Sequence, residues 1–296
     1  MFLDSLQSLF KDPPPEYAFE ISANGVAMSR TRPPATLLFA DLAEGTLTPS
    51  PVRENIADMQ DFTAAVRRLV PASGGRRTAA LILPDNAMRL AVLEFDNLPE
   101  KDEERMALIR FRLRKTVPFD ADTAAISYYL QPGNKVLVAV APPDLIQQYE
   151  APFRAVGLHP GVVTPAALAI LELLPPTGSY LVAHRNSGAL SVLVIGNGIV
   201  TLARSLELSN SADTPEGVNP MDEIVSDLYA TRIYVEDQAG ARPDRLYLAG
   251  FGSEATAVAA LLASELDVET EIVQEEHPGL AGYLRSLSPV ARKVAA

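Results

Sequence analysis

The strongest constraint on how this chain folds is a pattern that occurs twice. Tyr17–Ser22, Gly25–Arg30 and Ala35–Ala40 read as three short strands, the first two joined by the tight turn Ala23-Asn24-Gly25. Asn and Gly tolerate positive φ, so such a turn between apolar runs signals a hairpin. After Pro175-Pro176-Thr177-Gly178 the pattern returns as Tyr180–His184, Ala189–Ile195 and Ile199–Leu206, with turns at Arg185-Asn186-Ser187-Gly188 and Gly196-Asn197-Gly198. Each meander is followed by helix–strand units. A repeat on this scale implies a duplicated two-lobe α/β protein with a cleft between the lobes.

In the first half the units are a helix at Asp58–Val70, strands at Thr78–Leu83 and Arg89–Phe95, and a charged helix at Asp102–Lys115. Strands at Ala125–Gln131 and Lys135–Ala141, a helix at Asp144–Val156, a short strand at Val162–Val163 and a helix at Pro165–Leu174 complete it. In the second half a polar loop, Ser209–Asn219, precedes a helix from Pro220 to Val235. Strand Arg245–Ala249, helix Ser253–Leu266, strand Val268–Val273 and a last helical turn at Leu280–Leu287 follow. The expected division is a stub over 1–15, a first lobe over 16–175 with an insertion over about 84–141, and a second lobe over 176–296.

Composition removes several function classes. The 296 residues, 48% of them hydrophobic, suffice for two lobes with their own cores. The chain has no Cys and only His159, His184 and His277, without ligand spacing, which argues against a zinc site. A formal net charge of −12 argues against general affinity for nucleic acid or anionic lipid. Arg105, Arg110, Arg112, Arg114 and Lys115 are nonetheless clustered; they form either a patch for an acidic partner or a solvated helix face. Met1–Phe10 is amphipathic, without the basic start or cleavage site of a signal peptide. It reads as a terminus packed on the body or as a short docking segment, and the chain as cytoplasmic. Asp102-Glu103-Glu104 opens a helix, where acids favour the macrodipole, and is not read as a catalytic pair.

The run from Arg89 to Leu130, with Leu98-Pro99 before the charged helix and Val117-Pro118-Phe119 before Tyr128-Tyr129, resembles the inserted subdomain of the type IV pilus assembly PilM family. Val163-Thr164-Pro165-Ala166-Ala167-Leu168-Ala169 after Gly157, and Arg204 after the third strand of the second half, resemble it too. The resemblance extends from about Tyr17 to Arg285 and implies an actin-like fold, a duplicated ribonuclease-H-like architecture with a small α/β subdomain inserted in the first lobe. In that superfamily two hairpins and a Gly-rich turn hold a nucleotide, their backbone N–H groups receiving phosphates while acids position Mg²⁺ or water.

By that resemblance the nucleotide-site positions are Glu20, Asn24 and Gly25 in the first hairpin, Ser187 and Gly188 in the second, and Gly250 and Gly252 in the Gly-rich turn. The chemistry at those positions departs from the family pattern. The first acid is Glu20 instead of Asp, Ser22 replaces a Gly, and Ala27 replaces a Lys. His184 stands where the second hairpin carries an acid, and neutral imidazole serves Mg²⁺ poorly. Phe251 occupies a place where backbone approaches the ligand, and the Ser209–Asn219 loop is too short for the family's second-lobe subdomain.

These departures point to an actin-like fold kept for its surfaces, with ATP and Mg²⁺ not expected. The resemblance implies a scaffold of a type IV pilus or type II secretion-like machine, peripheral at the inner membrane through its partners. It would grip the cytoplasmic tail of a single-pass PilN-like protein, and an oligomer is compatible with the sequence. Arg89, Leu93, Arg105 and Arg112 mark the expected groove walls. The alternative, an ATPase or sugar-kinase-like enzyme of the same superfold, needs Glu20 as its metal-positioning acid and a replacement for the acid missing at His184.

Overall fold

The computed structural model describes residues 13–33, 36–71, 77–208, 220–239 and 242–288. The amphipathic stub and the Ser209–Asn219 loop lie outside these residues.

β1 (Tyr17–Ser22) and β2 (Gly25–Arg30) form the expected hairpin, and β3 (Leu38–Asp41) adds to its edge. After helix α1 (Met59–Leu69), β4 (Arg77–Leu83) enters parallel to β1, and β8 (Leu158–Pro165) parallel to β4. The sheet order is β3-β2-β1-β4-β8. The second half repeats it with β9 (Ser179–Asn186), β10 (Ala189–Gly196), β11 (Ile199–Glu207), β12 (Arg245–Ala249) and β13 (Glu269–Ile272), in the order β11-β10-β9-β12-β13. Each sheet has two antiparallel joints followed by two parallel ones.

Alternation along β1 divides the first lobe. Tyr17, Phe19 and Ile21 face α1 and α3 (Pro143–Ala155), where Phe62, Val66, Tyr149 and Phe153 fill the core. Ala18 and Glu20 face the other way. There, with Ala27 and Ala80, small side chains leave room for α4 (Ala166–Ile170) and α7 (Pro278–Ser286) to lie close to the sheet. The chain thus returns from the second lobe to pack its last helix on the first.

On β9 the same period puts Leu181 and Ala183 against α5 (Pro220–Ala239) and α6 (Ala255–Leu266). Tyr180, Val182 and His184 instead face α4, which is buried between the two lobes.

Between β4 and α3 lies a three-stranded antiparallel sheet of β5 (Arg89–Glu94), β6 (Ala125–Gln131) and β7 (Lys135–Ala141), in the order β5-β7-β6. Helix α2 (Asp102–Leu113) covers its outer face with Ile109 and Leu113. Its inner face, through Leu90 and Leu137, joins the core of the second lobe. The buried Gln131 side-chain amide donates to the Val200 carbonyl and accepts from the Val200 N–H, both at 2.9 Å. The insertion therefore braces both lobes.

Several elements differ in their bounds from expectation, three of them most clearly. β8 is far longer than the expected Val162–Val163, because a bulge opposite Ala79/Ala80 absorbs Gly161 and lets pairing continue. The expected Pro165–Leu174 helix breaks into α4 and a 3₁₀ turn at Leu171–Leu173. α5 runs on to Ala239, past the expected end at Val235.

Candidate functional site

The cleft between the lobes encloses about 650 Å³ and opens at the carboxyl ends of β1, β9 and β12, the end at which open α/β sheets place their ligands. Glu20, Asn24, Ser187, Gly250 and Gly252 line it; Gly25 and Gly188 complete their hairpins without lining it. Other walls come from Phe39, Thr256 and the segment Val273–Pro278, which carries Glu275 and Glu276. Phe39 stacks on His277, with ring centroids 5.2 Å apart.

At the floor three ionisable side chains meet. His184 Nδ1 donates to Asp85 Oδ2 at 2.6 Å, and each of these side chains is only 2% exposed. Asp85 Oδ1 accepts from the Ala167 N–H at 2.7 Å. Glu20 is also buried, and its Oε2 accepts from the Leu280 N–H at 2.7 Å, in the first turn of α7. The carboxylate of a strand thus sits on the N–H groups and positive dipole end of a helix. Gly279 makes room for it, since a Cβ there would lie 3.1 Å from the Glu20 carboxyl carbon.

Burial pushes the Glu20 carboxyl up to about 7, against the pull of the Leu280 N–H, the His184 charge and the Gly279 N–H. Burial opposes a charge on His184, but the adjoining Asp85 carboxylate, and behind it Glu20, outweigh that and hold its pKa above the ordinary imidazole value. His184 therefore takes up a proton more readily than a free imidazole does, with the Asp85 carboxyl beside it.

Sequence reasoning did not find Asp85. In the sequence it belongs to the turn Pro84-Asp85-Asn86, and the structure makes that turn a short 3₁₀ segment with all three residues buried. The available signal was an acid directly after a strand of the parallel part of the sheet.

The Gly-rich turn also differs from expectation. Gly250 has φ +77°, and a Cβ on it would stand 2.2 Å from the Arg185 carbonyl oxygen. The close approach that requires glycine is made by the protein's own backbone. Phe251 is buried in the second-lobe core. The two hairpins touch across the cleft, where the Ala23 N–H donates to Ser187 Oγ at 2.9 Å. Among the described residues no group of three or more His, Asp or Glu side chains is arranged to hold a metal ion.

The insertion uses most of its basic residues internally. Arg105 donates to the Tyr128 hydroxyl at 3.1 Å, Arg110 to the Ala121 carbonyl at 2.6 Å and Arg112 to the Glu94 carbonyl at 2.7 Å. Arg114 pairs with Asp122 at 2.8 Å. Leu93 is buried among Ile109, Leu113 and Val138, while Arg89 is half-buried at the start of β5. The cluster is neither a free basic patch nor merely a solvated helix face, and Leu93 offers no surface to a partner.

These two sheets, their order and the cleft between them define the actin-like fold. The chain is similar to a chain of the PilM–PilN type IV pilus biogenesis complex, with 18% identity over 94% of this chain and 100% of that one and a TM-score of 0.74. It is also similar to the cytoplasmic domain of EpsL, an inner-membrane component of the type II secretion system of Vibrio cholerae (10% identity, 91% and 94% covered, TM-score 0.56). A third similar structure is a Bacteroides thetaiotaomicron protein of unknown function with an actin-like ATPase fold (13% identity, 91% and 95% covered, TM-score 0.54). No protein-family model and no curated protein matches the sequence. Among the described residues no helix is long and apolar enough to cross a membrane.

Proposed function

We propose that this protein is an actin-like scaffold of a type IV pilus or type II secretion-like machine, working in the cytoplasm at the inner membrane. It would bind the cytoplasmic tail of a single-pass, PilN-like membrane protein. The observation that carries this reading is the likeness to the PilM–PilN complex over essentially both whole chains. The insertion and the adjoining first-lobe strands are the proposed groove. Since the Arg105 and Arg112 guanidinium groups already have partners, an extended tail would be held chiefly by backbone pairing and apolar contact. Phe111 and Leu130, both exposed on the insertion, are suited to that contact.

On the same reading the cleft does not turn over nucleotide. The N–H groups of Leu280 and Ala167 are already taken by Glu20 and Asp85, and an imidazole is hydrogen-bonded to the second of these carboxyl groups. That donor set does not suit a phosphate–Mg²⁺ pair.

Fluorescence anisotropy with a labelled peptide copying the tail of a PilN-like protein encoded beside this one tests the partner. We expect saturable binding, weakened at least about tenfold, roughly 1.4 kcal/mol, by Leu130→Arg. No binding of any such tail would end the scaffold reading in this form. Calorimetric titration with Mg-ATP tests the cleft: binding tighter than about 1 mM, lost in Glu20→Ala, would restore the enzyme alternative.

A further inference from the structure

The floor of the cleft is where the lobes meet, and the charges there are divided between them. Glu20 on β1 and Asp85 after β4 belong to the first lobe; His184 on β9 belongs to the second. Among the described residues, the charged groups that act on the imidazole are Asp85 and Glu20. Its strand neighbours are Ser191 on β10 and Ala249 on β12, and Gly250 lies against its ring. Arg185, the next residue, pairs with Glu254 at 2.6 Å on the exposed side.

We propose that His184, Asp85 and Glu20 form a tie of the chain's own charges that holds the lobes closed over the cleft, released when the imidazolium loses its proton. The physical reason is the balance of buried charge. With Glu20 protonated, His184 charged and Asp85 ionised, the cluster is neutral, and the only contact between opposite charges crosses the lobe boundary. When Glu20 ionises and His184 becomes neutral, two carboxylates remain buried with no counter-ion. An unpaired buried charge is strongly unfavourable, and separation of the lobes admits water to it. The Ala23–Ser187 hydrogen bond at the mouth and the packing of α4 define the closed arrangement but carry no charge, so they do not respond to pH. The inference rests on this geometry and on the raised proton affinities of Glu20 and His184, and stands whether or not a membrane-protein tail binds the insertion.

The absence of cysteine makes the test direct. Arg67→Cys on α1 and Ser264→Cys on α6 place dyes on exposed positions of opposite lobes. Single-molecule energy transfer is read between about pH 6 and pH 9, with circular dichroism at each pH to confirm that the fold persists. The expected result is one short inter-dye distance at the acidic end and a reversible shift to a longer one at the alkaline end. Asp85→Asn should give the longer distance already at neutral pH, and Glu20→Gln should leave the acidic-end distance unchanged. A wild-type distance constant over the whole range, with the dichroism unchanged, overturns the proposal without recourse to any variant. So does a folded Asp85→Asn protein with the wild-type distance at neutral pH; should that variant not fold, His184→Gln takes its place under the same criterion.

Discussion

Replacing His184 by Asp would turn the charge balance of the cleft floor from paired to repulsive. An Asp oxygen falls near the place of Nδ1, which lies 2.6 Å from Asp85 Oδ2, so a second carboxyl group would face Asp85 where an imidazole now does. Removing one partner of a buried ion pair costs about 3–5 kcal/mol, a large part of the roughly 5–15 kcal/mol by which a protein is stable. The new acid adds repulsion to that loss. In a chain of this size a loss of about 3–5 kcal/mol is about 5–8 °C in Tm. Thermal melts of wild type, His184→Asp and the uncharged His184→Asn at neutral pH make the measurement. The expectation is a lower Tm in both variants, and the lower of the two in His184→Asp. A His184→Asp protein as stable as wild type at neutral pH would refute the assignment of His184 as the buried counter-ion of Asp85. A His184→Asn protein less stable than His184→Asp would refute the repulsion between the carboxyl groups.

The pKa directions fix how stability responds to pH. Glu20 rises from 4.5 to about 7 on folding and His184 rises above 6.5, so the folded chain holds more protons than the unfolded one. Stability from Glu20 is then full below about pH 4.5 and declines towards pH 7 by about 3 kcal/mol, and that from His184 is lost as pH rises through its folded value. Urea midpoints should fall from pH 5 to pH 8, and Glu20→Gln should flatten that slope. In α7 a Cβ at Gly282 would lie 2.1 Å from the Ala169 carbonyl oxygen. Gly282→Ala should therefore cost about 1–3 kcal/mol through overpacking despite a helix-propensity gain of about 1 kcal/mol, with faster hydrogen exchange in α4 and α7; a stabilised variant would contradict the docking described. Asp58 caps α1 by accepting from the Gln60 and Asp61 N–H groups at 2.9 Å, and Asp58→Ala should cost about 1 kcal/mol in chemical denaturation.

The duplication was legible because its signal is local. Turn residues between alternating apolar runs mark both meanders, and the two sheets follow the order those meanders imply. The hairpins and the Gly250 turn were legible as turns for the same reason. What the sequence did not show is long-range. Nothing near Leu280 indicates that the last helix crosses back to give its N–H group to Glu20, 260 residues earlier. Nothing near Asp85 indicates His184, because their pairing depends on how two lobes close. The basic residues of α2 left two readings open in the sequence, a patch for an acidic partner or a solvated face. Neither anticipates that β6, β5 and the Ala121–Ala124 loop supply hydroxyl and carbonyl groups to Arg105, Arg110 and Arg112.

The same contrast bears on why glycines persist in the three cleft turns. A ligand-binding turn and a self-packed turn make the same demand on backbone, so Gly250 is needed whether a phosphate or the Arg185 carbonyl approaches it. Turn residues are therefore poor witnesses to ligand chemistry, whereas the side chains that must balance charge are good ones. Here the helix N-terminus at Leu280 is satisfied by Glu20, and the charge of His184 by Asp85. While the tie proposed above holds, the lobes are kept in register by the chain's own charges at the place where a ligand would otherwise have to balance them.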